Sequence, residues 1–277
     1  MRKGLDIIKK FTTFDKILIL LVIFGVVLFG YTFLRKSTYI TVTVKVGEDN
    51  VLWTHWSRSW FSQLFQNGMQ EKDGLGRVNA QVKSVRSYDI WPSQKAVYLT
   101  IELKTVYSRS TDQYTYKGLA VLIGSPIKLY LDRVFVEGLV THIDGVKDPR
   151  EKKAIIAEAQ LREESPTFSE TSGIKQYLAD ALSIGQKIYD DQGNIIIEVL
   201  DIKVEDAKRL TTTSDGRTLV SVNPLRKDVY LKLKINAFSM QNRYYLFDDI
   251  PLLIGQTIPI NTPMISVYPE ITKIILP

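Results

Sequence analysis

The sequence predicts a mainly β protein, with one N-terminal transmembrane helix followed by two homologous small β-barrel or sandwich-like domains, each with a short helix. An uncharged apolar run near the N-terminus, two segments that repeat each other, and alternation of apolar and polar residues within both repeats predict this fold class. We expect a cytoplasmic tail over 1–16, a transmembrane helix over 17–34, a first β-rich repeat over 38–145 and a second over 152–277.

The composition excludes several kinds of site. The 277 residues include no cysteine, which rules out disulfides, thiolate zinc sites, iron–sulfur clusters and cysteine catalysis. Two histidines, His55 and His142, are too few for a histidine-rich metal site. The net charge of +6 comes mainly from residues 1–36, which hold seven Lys/Arg and two Asp. Nucleic-acid binding needs a basic face on a folded domain, so we predict none, and we predict no cofactor.

The apolar run predicts the membrane helix. Ile17–Leu34 contains 18 residues without a charge, and at about 1.5 Å per residue this length spans a hydrocarbon core of about 30 Å. A cleaved signal peptide is the alternative, but the run is long and Tyr31–Ser37 lacks small residues at cleavage spacing. More basic residues precede the run than follow it, which predicts a cytoplasmic N-terminus and an extracytoplasmic 37–277.

The remainder of the chain contains an internal repeat. Lys95–Ile143 begins KAVYLTIEL and contains LIGSPI, whereas Lys227–Ile274 begins KDVYLKLKI and contains LIGQTI. One gap aligns the two segments and pairs Tyr114 with Tyr245. Upstream, similar residues recur 117 positions apart, and Gly68, for example, falls on Gly185. Such self-similarity predicts two copies of one structural unit.

Period-two alternation predicts that both repeats are built from strands. Apolar residues occupy every second position from Val97 to Leu103 and again from Val229 to Ile235, as in half-buried strands. Lys152–Glu164 has the composition of a helix. Its counterpart, Tyr39–Val46, alternates, so we predict a strand there as well.

Glycines mark the predicted turns. Asp215-Gly216, in an insertion near 207–222, predicts a hairpin with a type I′ turn. An Asp-x-x-Gly motif occurs once in each repeat and predicts a β-turn rather than a cation site, which would need more oxygen ligands; its residues are Asp73, Gly76, Asp190 and Gly193. Gly124 and Gly255 lack the Lys and Ser/Thr of a phosphate loop, so we interpret Val121–Ile127 and Leu252–Ile258 as equivalent strands.

A tryptophan-rich segment supplies the candidate interface residues. Short helices are predicted at about 53–66 and 173–183, and in the first of these the large residues recur at helical spacing. The candidates are Trp53, Trp56, Trp60, Phe61 and Leu64. Packing on the β core, contact with a protein or the membrane surface, and stacking on a sugar remain open. The second repeat lacks these tryptophans, which favours a role particular to the first repeat.

Three segments of the second repeat resemble a bacterial family known only as a domain of unknown function, the four-three-three-zero family. They are GQKIYDDQGNIIIEVLDIKV (Gly185–Val204), RKDVYLKLKI (Arg226–Ile235) and LLIGQTI (Leu252–Ile258). The resemblance is weaker over the first repeat. It implies an envelope protein with one N-terminal span and repeated β-rich units, and it supplies no activity and no catalytic residues.

These features predict a membrane-anchored extracytoplasmic scaffold or assembly subunit of a cell-envelope complex, in the bacterial cytoplasmic membrane, that acts through protein contacts and is not an enzyme. Its expected partners are the lipid bilayer, other envelope membrane proteins and further copies in a homo- or hetero-oligomer. One alternative is an oligomeric adaptor for lipid or polysaccharide transport. Another is a glycan-active enzyme, which would need a deep pocket holding two carboxylates of different pKa. The chain contains no nucleophile elbow, His-Glu-x-x-His motif or Walker loop.

Overall fold

The protein is mainly β, as predicted. The structure, a computed structural model, describes residues 12–33, 37–47, 56–162 and 173–275. The chain divides into two compact units. One comprises Met1–Tyr39 and Lys104–Val121, and the other comprises Ile40–Leu103 and Leu122–Pro277.

The first sheet has nine strands, and its main path runs in the order β3-β4-β5-β1-β9-β8. Its strands are β1 (Thr38–Gly47), β2 (Ser57–Arg58), β3 (Gln70–Lys72), β4 (Val78–Trp91), β5 (Gln94–Ser108), β6 (Gln113–Tyr116), β7 (Leu119–Ala120), β8 (Pro126–Leu131) and β9 (Val134–Ile143). A one-turn helix, α2 (Ser59–Ser62), follows β2.

The second sheet repeats this topology, with the path β12-β13-β14-β10-β19. The elements of the second repeat are β10 (Glu151–Leu161), β11 (Ile174–Lys175), α3 (Gln176–Asp180), β12 (Lys187–Tyr189), β13 (Ile195–Thr212), β14 (Thr218–Met240), β15 (Arg243–Leu246), β16 (Ile250–Pro251), β17 (Ile260–Asn261), β18 (Ser266–Val267) and β19 (Glu270–Ile275). The strand predicted over Lys152–Glu164 is confirmed as β10, so pairing outweighs helix propensity there. In the first sheet β8 and β9 form one hairpin; its counterpart in the second repeat is split into β17, β18 and β19.

The N-terminal apolar run forms the helix α1, Thr13–Phe33. The described apolar side chains of α1, such as Ile17, Leu20 and Phe24, are exposed. Among the residues whose side chains the structure describes, no helix is both long and apolar enough to cross a membrane. The predicted tail over 1–16 lies largely outside the described residues.

Each repeat contains the same backbone hydrogen bonds at equivalent positions. Gly68 donates to the carbonyl of Val82 at 2.8 Å, and Gly185 donates to Val199 at the same distance. All four of these residues keep the spacing of 117 that the sequence showed. The two Asp-x-x-Gly turns are confirmed: Gly76 and Gly193 each donate to the carbonyl of the aspartate three residues earlier and have positive φ; those aspartates are Asp73 and Asp190.

Two predictions about glycine-containing segments are confirmed only in part. Neither Val121–Ile127 nor Leu252–Ile258 is a continuous strand, because Gly124 and Gly255 have φ of 88° and 86° and lie in turns; within these two segments, Pro126 and Ile127 belong to β8. The predicted hairpin at Asp215-Gly216 is present, but it is not type I′, since only Gly216 has positive φ. Its hydrogen bonds match those of the Asp-x-x-Gly turns.

The structure also moves the alignment gap. Val121 donates to the carbonyl of Tyr114 at 2.9 Å, and Leu252 donates to Tyr244 at 2.8 Å. Tyr114 therefore corresponds to Tyr244 rather than to Tyr245. The extra residue of the second repeat lies in the loop after β15, which has three residues, 247–249, against two in the first repeat.

The first sheet closes on itself, whereas the described residues of the second sheet show no equivalent closing bond. The Asp132 N–H donates to the Gln70 carbonyl at 2.8 Å, which links the end of β8 to β3. At the equivalent position the second repeat has Pro263, which has no N–H to donate. A gap, called the seam here, is left between β12 and the β17–β18 hairpin.

Candidate functional site

The end of the β4–β5 hairpin packs into the hydrophobic core of the second sheet. Four of its residues belong to the same buried cluster as the second sheet's own core: Tyr88, Ile90, Ala96 and Tyr98. The Tyr88 ring stacks on Phe247, with 4.9 Å between centroids and 26° between planes. This shared core makes the junction of the two repeats the principal candidate site, because a hairpin that both repeats contain enters the neighbouring repeat's core from the first repeat.

Asp248 occupies the centre of a charged network at the junction. Its Oδ2 accepts a hydrogen bond from an Arg86 Nη at 2.7 Å, while its side chain is only 4% exposed. Its other carboxylate oxygen has no hydrogen-bond partner among the described residues. Burial raises the pKa of Asp248, and the nearby charges of Arg86 and Arg150 oppose that effect.

The backbone around Asp248 adopts an uncommon conformation. Phe247 and Asp248 have φ of 50° and 73°, a region that non-glycine residues rarely occupy. The two hairpin residues that correspond in the first repeat are Lys117 and Gly118, which also have positive φ. The second repeat thus keeps the turn geometry, places a carboxylate where the first repeat has glycine, and adds Asp249.

Asp249 connects the network to a predicted interface residue. The Tyr98 hydroxyl lies 3.0 Å from both Asp249 Oδ1 and the Phe247 carbonyl, and burial raises the pKa of Tyr98, so the hydroxyl remains a donor. Lys45 donates to Asp249 Oδ2, and its Nζ lies 4.3 Å from the centroid of the Trp56 ring. Trp56 packs against the shared core.

Arg150 braces the other side of the network. It donates to both oxygens of Asp148, with Nη2–Oδ2 at 2.8 Å, and this hydrogen bonding lowers the pKa of Asp148. Another Nη donates to the Asp248 carbonyl at 3.3 Å. The arginine therefore ties the segment between the repeats to the strained loop.

Further contacts hold the hairpin tip at the seam. The Asn261 amide donates to the Asp89 carbonyl at 2.8 Å, and the Trp91 ring lies 4.4 Å from that of Tyr268. Ser87 donates to Asp191 on the β12–β13 turn. The tip of the first repeat's hairpin thus lies beside the seam. In the first sheet, the hydrogen bond from Asp132 closes the equivalent position.

Three cavities adjoin the junction. One of about 350 Å³ is lined by Arg86, Lys152 and Lys153 together with Tyr88, Phe238 and Asp190. One of about 380 Å³ contains Lys45, Trp56 and Asp249. The third, about 550 Å³, is the seam cleft. One aspartate lines each of these three cavities, so none of them holds the pair of carboxylates that the glycan-active alternative needs.

The predicted tryptophan stripe does not form one helical face. Among the described residues 56–66, only Ser59–Ser62 is helical, because Ser57 and Arg58 pair with Lys95 and Gln94 of β5, which keeps Trp56 outside the helix. Similarly, the second predicted helix, 173–183, shortens to α3. Trp53 lies outside the described residues.

The remaining candidates divide by exposure. Trp60 is 64% exposed and Leu64 is exposed, whereas Phe61 is half-buried with its ring 5.1 Å from that of the buried Phe65. His142 is half-buried on β9 opposite Thr43, and His55 lies outside the described residues. Within the described residues no group of His, Asp or Glu could hold a metal ion.

Sequence reasoning missed Arg86 and Asp248. The Asp248-Asp249 pair was visible, but one adjacent pair of acids among several carries no distinguishing signal. The extra residue in the loop of the second repeat could have singled it out. Comparison with protein-family models, curated proteins and solved structures finds no match. The resemblance to the four-three-three-zero family therefore stays a prediction.

Proposed function

We propose that this protein is a membrane-anchored extracytoplasmic scaffold or assembly subunit of a bacterial envelope complex. The observation that carries the proposal is the shared core: Tyr88, Ile90, Ala96 and Tyr98 of one repeat are buried in the other. A buried contact of this kind fixes the orientation of the two repeats, and the residues that form it belong to one compact unit. Fixed spacing of contact surfaces is what a scaffold needs, whereas flexibly linked domains would not provide it.

The anchoring part of the proposal rests on α1. The uncharged run Ile17–Leu34 has the length of a spanning segment, and the described apolar side chains of α1 are exposed. Contiguous exposed apolar surface is uncommon on soluble proteins, so we assign it to lipid. The basic residues before the run support a cytoplasmic N-terminus.

Trp60 and Leu64 provide the proposed contact with another envelope protein. Both are exposed apolar residues in the first repeat, and tryptophan is enriched among residues that dominate binding energy. The equivalent of Trp60 is Tyr177, which is 62% exposed on α3. Tyr177 therefore offers a control of similar size, exposure and position.

The test combines membrane fractionation with affinity purification of the full chain. We expect the wild type to resist carbonate extraction and to co-purify with defined membrane proteins in mild detergent. Trp60→Ala with Leu64→Ala should reduce that recovery at least tenfold with an unchanged melting temperature, while Tyr177→Ala should not. Carbonate-extractable wild-type protein, or equal losses in both variants, would contradict the proposal.

A further inference from the structure

The β13–β14 hairpin is the counterpart of the β4–β5 hairpin, but it is longer. Asp89 and Lys95 form an ion pair at 3.4 Å across the first hairpin, and Asp206 and Lys227 form the same pair across the second. The first pair is separated by six positions and the second by twenty-one, so the second hairpin contains fifteen more residues.

The extra residues build an arm. Ala207–Thr212 pairs with Thr218–Asn223 in a regular antiparallel ladder that ends in the turn at Gly216. Several of its apolar side chains, and one just beyond it, are largely exposed: Leu219 (55%), Val220 (64%), Val222 (55%) and Leu225 (81%). Among the described residues, no third strand pairs with the arm. Exposed β-branched residues on a two-stranded hairpin are a pairing surface, since such a hairpin is marginally stable alone.

The seam provides an acceptor of the matching kind. The strand β12 ends its sheet, and the seam cleft of about 550 Å³ lies between residues 186–189 and 261–263. One wall of the cleft is the tip of the first repeat's hairpin, through Asp89, Trp91 and Pro92. The seam therefore already contacts the end of one β-hairpin within the chain.

The arm begins far along β13 from the residues that pair with β12. The strand β12 pairs with residues near Glu198, at the start of β13, and the arm begins at Ala207. Nine extended residues separate these points by roughly 30 Å. The arm and the seam lie toward opposite ends of the same strand, which is the arrangement that head-to-tail association requires.

We propose that the arm of one copy docks in the seam cleft of a second copy, so that the protein assembles head to tail. The arm supplies an extended apolar strand pair, and β12 supplies a strand edge, as in recognition by β-strand addition. This continues, between chains, the contact that the first hairpin makes within the chain. The inference rests on the proposed scaffold function and names a partner for it.

The natural absence of cysteine allows a direct test with the full chain in mild detergent. Ser221→Cys places a thiol on the arm, and Tyr189→Cys places one on β12, both at exposed positions. Under oxidation, we expect a disulfide-linked dimer when the two variants are mixed and none with either variant alone. Leu75→Cys, on an exposed turn of the first repeat, replaces Tyr189→Cys in the control mixture and should give no dimer.

A second set of variants tests the apolar contact itself. Val220→Glu with Val222→Glu in the Ser221→Cys chain should lower the dimer yield at least tenfold, with melting temperatures confirming that each variant folds. Dimers of Ser221→Cys alone, which would mean that arms pair with each other, or no dimer in the mixture, would overturn the inference. A chain that does not self-associate but still co-purifies with other membrane proteins would overturn this inference and leave the scaffold proposal standing.

Discussion

The two equivalent hairpins of this protein end in opposite environments. The β4–β5 hairpin buries Tyr88 and Tyr98 in the neighbouring sheet, whereas the positions that correspond to Tyr88 and to Ala96 in the β13–β14 hairpin are Glu205 and Asp228. The second hairpin instead carries its apolar residues further out, on the exposed arm. The same hairpin thus forms a buried contact in the first repeat and an exposed surface in the second. A few side-chain differences and fifteen additional residues account for this.

Tyr88→Ala should have the largest effect on stability, because it removes a buried ring that stacks on Phe247. We expect the free energy of unfolding to fall by about 3–5 kcal/mol, as for other aromatic-to-alanine changes in cores. Val220→Ala on the arm should change it by less than about 0.5 kcal/mol. Denaturant unfolding of both variants measures the contrast, and equal effects would remove the distinction between the hairpins.

Arg86→Ala should have the next largest effect, since it leaves Asp248 buried without the cation that hydrogen-bonds to its carboxylate. Breaking a buried pair in this way costs about 3–5 kcal/mol, and we expect the lower end because the Arg86 side chain is 29% exposed. Adding Asp248→Asn to Arg86→Ala should recover part of the loss in the same unfolding assay. If the double variant is no more stable than Arg86→Ala, the Asp248 charge is not what Arg86 compensates.

A smaller effect is expected in the pH dependence of stability. Burial raises the pKa of Asp248 above its ordinary value of 3.8, so between these two values the folded state holds a proton that the unfolded state has lost. This group's contribution to stability is therefore present at low pH and is lost as pH rises through the raised pKa. Asp248→Asn should remove that decline, and an unchanged slope of unfolding free energy against pH would contradict the assignment.

How far the sequence could predict the fold depended on whether the deciding contacts were local. Period-two alternation and the repeat together predicted β10, although its composition favours a helix. The Asp73 and Asp190 turns were equally predictable, because an aspartate that bonds its own backbone acts over a few residues. Of the helix predicted at about 53–66, the described residues form only Ser59–Ser62, because Ser57 and Arg58 pair with the β5 strand, more than 30 positions along the chain.

The candidate site was less predictable for the same reason. Arg86 and Asp248 are 162 positions apart, and neither belongs to a periodic pattern or a motif. Their meeting depends on how one repeat's hairpin enters the other's core. Pro263 did carry a local signal, since the second repeat has proline at the position equivalent to Asp132. That this proline leaves the second sheet open follows only from knowing that the Asp132 N–H closes the first sheet.

Amide hydrogen exchange on the monomeric full chain tests the central claim most directly, because it reports both hairpins in one experiment. We expect the amides around Tyr88 and Tyr98 to exchange as slowly as those of the buried strand β14 near Leu233. The arm amides, from Lys208 to Val222, should exchange at least a hundredfold faster. Fast exchange at the β4–β5 tip, or protection of the arm equal to that of the tip, would contradict the account.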